Sequence, residues 1–334
     1  MSTAGGVRIT AMACAYAEEL RPLAQVFEDE GVALTDDART RLGIDEVATG
    51  LPSSGPGLAM DCTTRALEDA GVTGKQIDLI VDYSMLPQHF LVPVWNLGNK
   101  LQHELGATRA FTLGFSGGGT SNFHVALRFA TDLLSTNDQL HTALLFGADT
   151  AIPGNRIINQ DQPVTVLGDG ASAMVLSTEE EGTAILATEL ISDGTYHDVC
   201  YVPGGALAQL DQDDRSDLYR LQIDATRLAA APTAETLDRL ARQAAERTGI
   251  DLGTIHEVIV PNISAADDAG SRAIWNAPAS PASDANRRRH GHVQATDLVA
   301  NLQSAVHNGS SPGDVLMVAS HGMGFTAGVS LLRI

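Results

Sequence analysis

Apolar and polar positions along the chain follow two alternating periods. Short β-branched runs that read as buried strands are interleaved with longer stretches whose apolar residues recur at helical spacing. Residues 57–70 (GLAMDCTTRALEDA) have the helical spacing and lead into 76–82 (QIDLIVD), which reads as a buried strand. Residues 122–134 (NFHVALRFATDLL) predict a helix with Val125, Leu127, Phe129, Leu133 and Leu134 on its apolar sides. A second buried strand is expected at 142–147 (TALLFG). This alternation predicts an α/β fold in which helices cover both faces of a sheet.

The theme recurs half a chain later. Residues 65–84 (RALEDAGVTGKQIDLIVDYS) and 245–264 (AERTGIDLGTIHEVIVPNIS) both read as a helix, a Gly-marked stop, a short polar turn and a strand ending near a Ser. An internal duplication of one α/β unit is the simplest account. Two stretches interrupt the pattern and read as loops: 203–217 (PGGALAQLDQDDRSD) and 264–289 (SAADDAGSRAIWNAPASPASDANRRR). Long loops of this kind form lids or channel walls in compact enzymes.

Composition narrows the function. The 334 residues include 41 acidic and 21 Lys or Arg side chains, a formal charge of −20. Arg287, Arg288 and Arg289 form the one run of three basic residues, so a nucleic-acid partner is not expected, because phosphate affinity needs clustered cations. Cys14, Cys62 and Cys200 are odd in number and scattered. They suit neither a disulfide scaffold nor a zinc site, and no metal is expected. No run approaches the ~20 apolar residues of a membrane span. The N-terminus lacks the basic start of a secretory signal, so a soluble cytoplasmic protein is expected.

Four segments hold candidate chemistry. In 111–120 (FTLGFSGGGT) a strand feeds Ser116, three glycines and then a helix. Glycines allow a sharp turn, and the helix start offers free N–H groups near a nucleophile or oxyanion. In 290–297 (HGHVQATD), His292 can act as a base near neutral pH, and Asp297 can hold its useful tautomer. A spacing of five does not put two side chains on one helix face, so this pair needs an intervening turn. The alternative is an exposed His and an Asp capping a helix over 298–306. The GDGAS turn in 166–176 and the GMGFTAG turn in 313–328 permit close backbone approach.

Together these segments resemble a β-ketoacyl synthase III-type condensing enzyme of the thiolase superfamily. LGATRAFTLGFSGGG (105–119) resembles the strand leading to that family's nucleophile. LLFGAD (144–149) and VTVLGDGASAMVL (164–176) resemble its next two core strands, and SDGTYHDVCYVPGG (192–205) its DGS/T segment. VIVPNISA (258–265) stands at its PHQAN motif, HGHVQATD at its GN-S/T-SAAS motif, and GDVLMVASHGMGFTAG (313–328) at its C-terminal signature. The resemblance implies a duplicated five-layer αβαβα thiolase fold and a homodimer. Residues 1–176 would be the half bearing the nucleophile turn, and 177–334 the half bearing the His/Asp motif.

The departures redirect the expected chemistry. The family triad is Cys, His, Asn, whereas here no Cys lies near the nucleophile turn, Asn262 replaces the PHQAN His, and His292 replaces the GN Asn. The exchange resembles a subgroup of polyketide and antibiotic pathways that loads starter units or acylates hydroxyls with Cys or Ser, His and Asp. It implies Ser116 as nucleophile, His292 as base and Asp297 as its orienting partner. His197, Asn262, Thr120 and Ser121 would line the substrate site. Aligning the strand favours Ser116, while ungapped alignment of the following helix puts Thr120 at the Cys position, with Ser121 next.

The expected function is acyl transfer from acyl-CoA or an acyl-carrier protein to a hydroxyl, amine or carrier acceptor. The thioester is the substrate, and no further cofactor is implied. The alternatives are decarboxylative starter-unit condensation and a non-catalytic partner subunit of a condensing-enzyme heterodimer. The charge of −20 opposes an acidic carrier unless a local patch such as Arg287–Arg289 receives it.

Overall fold

The computed structural model describes residues 6–51, 54–85, 97–151, 154–201, 221–322 and 324–334. Nine strands form the principal sheet: β1 (Arg8–Tyr16), β2 (Leu79–Asp82), β3 (Phe111–Gly114), β4 (Thr142–Asp149), β5 (Gly170–Ser177), β6 (Thr183–Ser192), β7 (Ile255–Ile259), β8 (Val315–Gly322) and β9 (Thr326–Arg333). Their spatial order is β7-β8-β9-β6-β1-β5-β4-β2-β3.

The sheet states one pattern twice. On one side, β1 pairs antiparallel with β5, β5 antiparallel with β4, and β4 parallel with β2. On the other, β6 pairs antiparallel with β9, β9 antiparallel with β8, and β8 parallel with β7. The two sets meet where β1 pairs with β6.

Helices divide the core into layers. The relevant ones are α1 (Gly55–Asp69), α2 (Leu97–Glu104), α3 (Asn122–Thr136), α4 (Thr233–Thr248), α5 (Ala265–Ala273), α6 (Pro281–His290) and α7 (Thr296–Asn308). Side chains alternate along a strand, so β4 sends Ala143 and Leu145 to one face and Leu144 and Phe146 to the other. Leu144 and Phe146 pack with Ala59, Cys62, Ala66 and Leu101 of α1 and α2. Ala143 and Leu145 join Phe123 and Leu127 of α3 and Leu298 and Leu302 of α7, which also touch Leu316 and Val318 of β8. Helices α3 and α7 are therefore the middle layer. Each fully buried Phe or Leu there contributes about 1.5–3 kcal/mol. On the far face, Leu237, Leu240 and Ala244 of α4 cover Met317, Val329 and Leu331. The result is the five-layer thiolase fold.

The GDGAS segment is a structural joint. Asp169 is fully buried, forms a bidentate pair with Arg156 at 2.9 and 2.7 Å, and accepts the N–H groups of Gly50 and Ala151, each at 2.7 Å. Close approach explains one glycine in particular. A β-carbon at Gly322, the end of β8, would overlap the carbonyl of Gly118 in the turn before α3. This contact brings a strand end of one half against the glycine turn of the other.

Residues 264–289, expected as a loop, contain α5 and α6 instead. Ser264 and Ser280 cap them, accepting the N–H groups of Asp267 and Ser283, and Pro281 opens α6. Both helices are short and polar, so they lack the apolar period that marks a helix in sequence. The 203–217 segment lies outside the described residues.

Candidate active site

The turn before α3 is held by Asn122. Its Oδ1 accepts the N–H of Gly118 at 3.0 Å, and its Nδ2 donates to the carbonyls of Ser84 and Phe115 at 3.3 and 3.4 Å. A short 3₁₀ turn, Gly119–Ser121, then enters the helix. Thr120 is buried, and its hydroxyl donates to the His321 carbonyl at 2.8 Å. Ser121 is completely buried, with its hydroxyl donating to the carbonyls of Thr326 and Ser320 at 3.0 and 3.3 Å.

The facing wall is the segment between α6 and α7. His292 is extended and laced to the chain before β5: its N–H donates to Val166 O, and its carbonyl accepts from Gly168 N, each at 2.9 Å. Gln294 then adopts a left-handed conformation, φ 49°, and turns the chain into α7. Asp297 lies in the first turn of α7, where the helix dipole favours a carboxylate. Its Oδ1 accepts the Val293 N–H at 2.9 Å, and its Oδ2 accepts the Asn262 N–H at 2.8 Å and His292 Nδ1 at 2.6 Å. Both side chains are buried. With Nδ1 committed to Asp297, Nε2 is the ring nitrogen left for a substrate proton.

A cavity of about 160 Å³ lies between these walls. Thr120, Gly119, Gly117, His292, Gln294, His321, Gly322, Ile263 and Cys200 line it. A larger hollow of about 810 Å³ opens elsewhere beside Glu18, Glu19, Asp29 and Glu30. None of the residues expected from sequence to act lines that hollow.

The placement corrects four expectations, since Ser116, His197, Asn262 and Ser121 are not among the residues lining the cavity. Ser116 is solvent-exposed and does not line the cavity, because three glycines separate it from Thr120, which the 3₁₀ turn carries inward. His197 is also exposed, its Nδ1 3.1 Å from the Gly194 carbonyl, and it too is absent from the lining. Asn262 is buried beneath the site. Its N–H braces Asp297, and its Oδ1 accepts Asn301 Nδ2 at 2.9 Å. The basic triplet is largely committed: buried Arg287 pairs with Asp284, and Arg288 pairs with Asp284 and Asp45 at 2.7 and 3.2 Å.

The description 3-oxoacyl-[acyl-carrier-protein] synthase III fits residues 118–194 as a family model. The chain is 31% identical over 288 residues to a β-ketoacyl-[acyl-carrier-protein] synthase III of Rhodospirillum centenum, covering 83% of each. It belongs to the β-ketoacyl-acyl-carrier-protein synthase III family. Two solved structures show the same fold. The synthase III of Aquifex aeolicus superposes with a TM-score of 0.80 at 19% identity, over 98% of this chain and all of that one. The priming β-ketosynthase of the R1128 polyketide pathway gives 0.82 at 20% identity, over 100% of this chain and 98% of that one.

The one cysteine among the described lining residues is Cys200, whose thiol burial pushes up to about 11, so it is protonated at neutral pH. Cys14 is pushed up to about 12 by the same cause. Neither thiol is an activated nucleophile. The groups suited to proton transfer are His292, oriented by Asp297, and His321. Sequence reading passed over His321, Gln294 and Cys200. The available signal for His321 was its place before a glycine at the end of a buried strand, where α/β folds position functional groups. Nothing local marked the other two. Among the described residues no group of three or more His, Cys, Asp or Glu could hold a metal ion, and no helix is long and apolar enough to cross a membrane.

Proposed function

We propose that the chain transfers an acyl group from a thioester to a hydroxyl or amine acceptor, with His292 as general base and Asp297 as the group that orients it. The observation that carries this reading is the buried 2.6 Å contact between His292 and Asp297, with His292 facing the cavity that Thr120 lines. A hydroxyl acceptor needs its base more than a thiol does, and a carboxylate behind the imidazole stabilises the imidazolium formed as the proton moves. Thr120, rather than Ser116, is the chain's own hydroxyl placed to receive the acyl group in transit.

Acyl-CoA suits the donor role better than an acidic carrier. The net charge is −20, and two of the three arginines before His292, Arg287 and Arg288, are engaged with Asp284 and Asp45. The chemistry belongs with starter-unit or tailoring steps of polyketide and antibiotic pathways, a placement supported by the exchanged motif residues His292 and Asn262. The active form is a homodimer. Strand β3 is an edge of the principal sheet, and its Phe111 is two-thirds exposed, as an edge strand awaiting a second copy would be.

Decarboxylative condensation is the second reading, supported by the name of the relatives that match along 83% of the chain. One assay separates the two. With acetyl-CoA and hydroxylamine, acyl transfer releases free thiol in a His292-dependent manner. With malonyl-CoA added, condensation releases carbon dioxide and forms a carbon–carbon bond. Carbon dioxide release coupled to a β-ketoacyl product would replace the transfer reading. Absence of turnover in both arms would leave the partner-subunit role.

A further inference from the structure

The second histidine of the cavity has a carboxylate of its own. His321 is the penultimate residue of β8, and its Nε2 lies 4.0 Å from Asp267 Oδ1 in the first turn of α5. Its Nδ1 and Asp267 Oδ2 are both buried without a hydrogen-bond partner among the described residues. The ring stacks on Phe325, with centroids 6.0 Å apart and an interplanar angle of 25°, which fixes its plane. Its carbonyl accepts the Thr120 hydroxyl at 2.8 Å, so ring and hydroxyl are held relative to one another. The cavity thus contains two imidazoles, each with a carboxylate beside it. The other titratable groups facing it are His292 and the Cys200 thiol.

Acyl transfer from a thioester moves two protons. The attacking hydroxyl must lose one, and an alkyl thiolate leaves more readily if it gains one. Through Asp297, His292 is equipped for the first. A group for the second has to lie in the same cavity, hold a proton and have a countercharge in a partly dry setting.

We propose that His321 is the proton donor of this site, paired with Asp267; the inference rests on the acyl-transfer reading. The attacking hydroxyl, Thr120's or the acceptor's own, gives its proton to His292 Nε2 as its oxygen bonds to the thioester carbonyl carbon. The C–S bond then breaks, sulfur keeps the electron pair, and it takes a proton from the His321 imidazolium. Ester and free thiol result. Exchange with water returns a proton to His321 and removes one from His292.

The test varies the leaving group. Thiol release by the full-length protein is measured with acetyl-CoA and with S-phenyl thioacetate, hydroxylamine being the acceptor, and the enzyme-free rate is subtracted. The phenylthiolate leaves without protonation. His321→Asn is expected to lower kcat about 100-fold with acetyl-CoA but only about threefold with the phenyl thioester. Equal losses on both donors, or none on either, overturn the proposal while leaving the His292 reading intact. Wild-type inactivity on both donors overturns that reading and this inference together. If His321→Asn does not fold, Asp267→Asn reads the same contrast. It should lose about 10-fold on acetyl-CoA and retain its rate on the phenyl thioester. Unchanged ratios there also overturn the proposal.

Discussion

His292 Nδ1 and Asp297 Oδ2 lie 2.6 Å apart although the two residues stand five positions apart, a spacing that places two side chains on different faces of one helix. They meet because His292 is not helical. It bridges to Leu167 in extended backbone, and Gln294 at φ 49° reverses the chain before α7 begins. The same carboxylate also accepts two backbone N–H groups, so the pair is fixed by its surroundings as well as by itself.

Replacing that carboxylate separates orientation from packing. Asp297→Asn retains the volume but replaces one acceptor oxygen with a donor facing buried N–H groups. Acyl-transfer kcat is expected to fall by about 10²–10⁴-fold. Stability should fall by about 1–3 kcal/mol. Steady-state kinetics and urea unfolding of the same preparation check both; a stable variant with wild-type kcat would remove Asp297 from the chemistry.

The two candidate hydroxyls give opposite outcomes. Ser116→Ala alters an exposed side chain and is expected to leave thiol release from acetyl-CoA within about twofold. Thr120→Val removes the cavity hydroxyl and its bond to the His321 carbonyl, and is expected to cost about 10²-fold. Intact mass after incubation with acetyl-CoA shows whether an acetyl group rests on Thr120. An adduct that persists in Thr120→Val and vanishes in Ser116→Ala would reverse the assignment.

His124 makes stability depend on acid. It is fully buried one turn beyond Thr120, its Nδ1 2.8 Å from Ser330 Oγ, and burial lowers its pKa to about 3. The unfolded chain takes up this proton near pH 6.5. The neutral folded imidazole is therefore fully compatible with stability above about pH 6.5, and stability is lost progressively as pH falls toward 3. By pH 5 this one group removes about 2 kcal/mol. Urea unfolding at pH 7 and pH 5 should show that difference in the wild type, and a smaller one in His124→Gln.

The homodimer proposed above would form along the edge of the sheet. Phe111→Glu places a charge at the exposed end of β3 and is expected to convert the dimer to monomer at micromolar concentration. Sedimentation velocity reads this directly. An unchanged dimer would move the interface elsewhere.

Much of the fold was legible because its strands and middle helices are strongly apolar. Leu79–Val81, Leu144–Phe146 and the stripe of Phe123, Leu127 and Leu134 follow periods that buried surfaces impose. Helices α5 and α6 were not legible, since buried Arg272 and Arg287 hold their places through ion pairs that leave no apolar period. In the site, His292 and Asp297 could be named from their types and neighbours. The position of Ser116 could not, because three successive glycines erase the register between strand and helix. His321 was hidden because its partner Asp267 is distant in sequence and on another element.

The two walls of the cavity come from the two repeats of the sheet. Thr120 follows β3 in the first, while His292 and His321 belong to the second, and exposed Glu179–Glu181 lie in the link between β5 and β6. Neither repeat contains a complete set of reactive groups. The proposed acyl transfer would thus be a signal of fragment complementation: peptides 1–180 and 181–334 would each be inert alone, and catalysis would report their association.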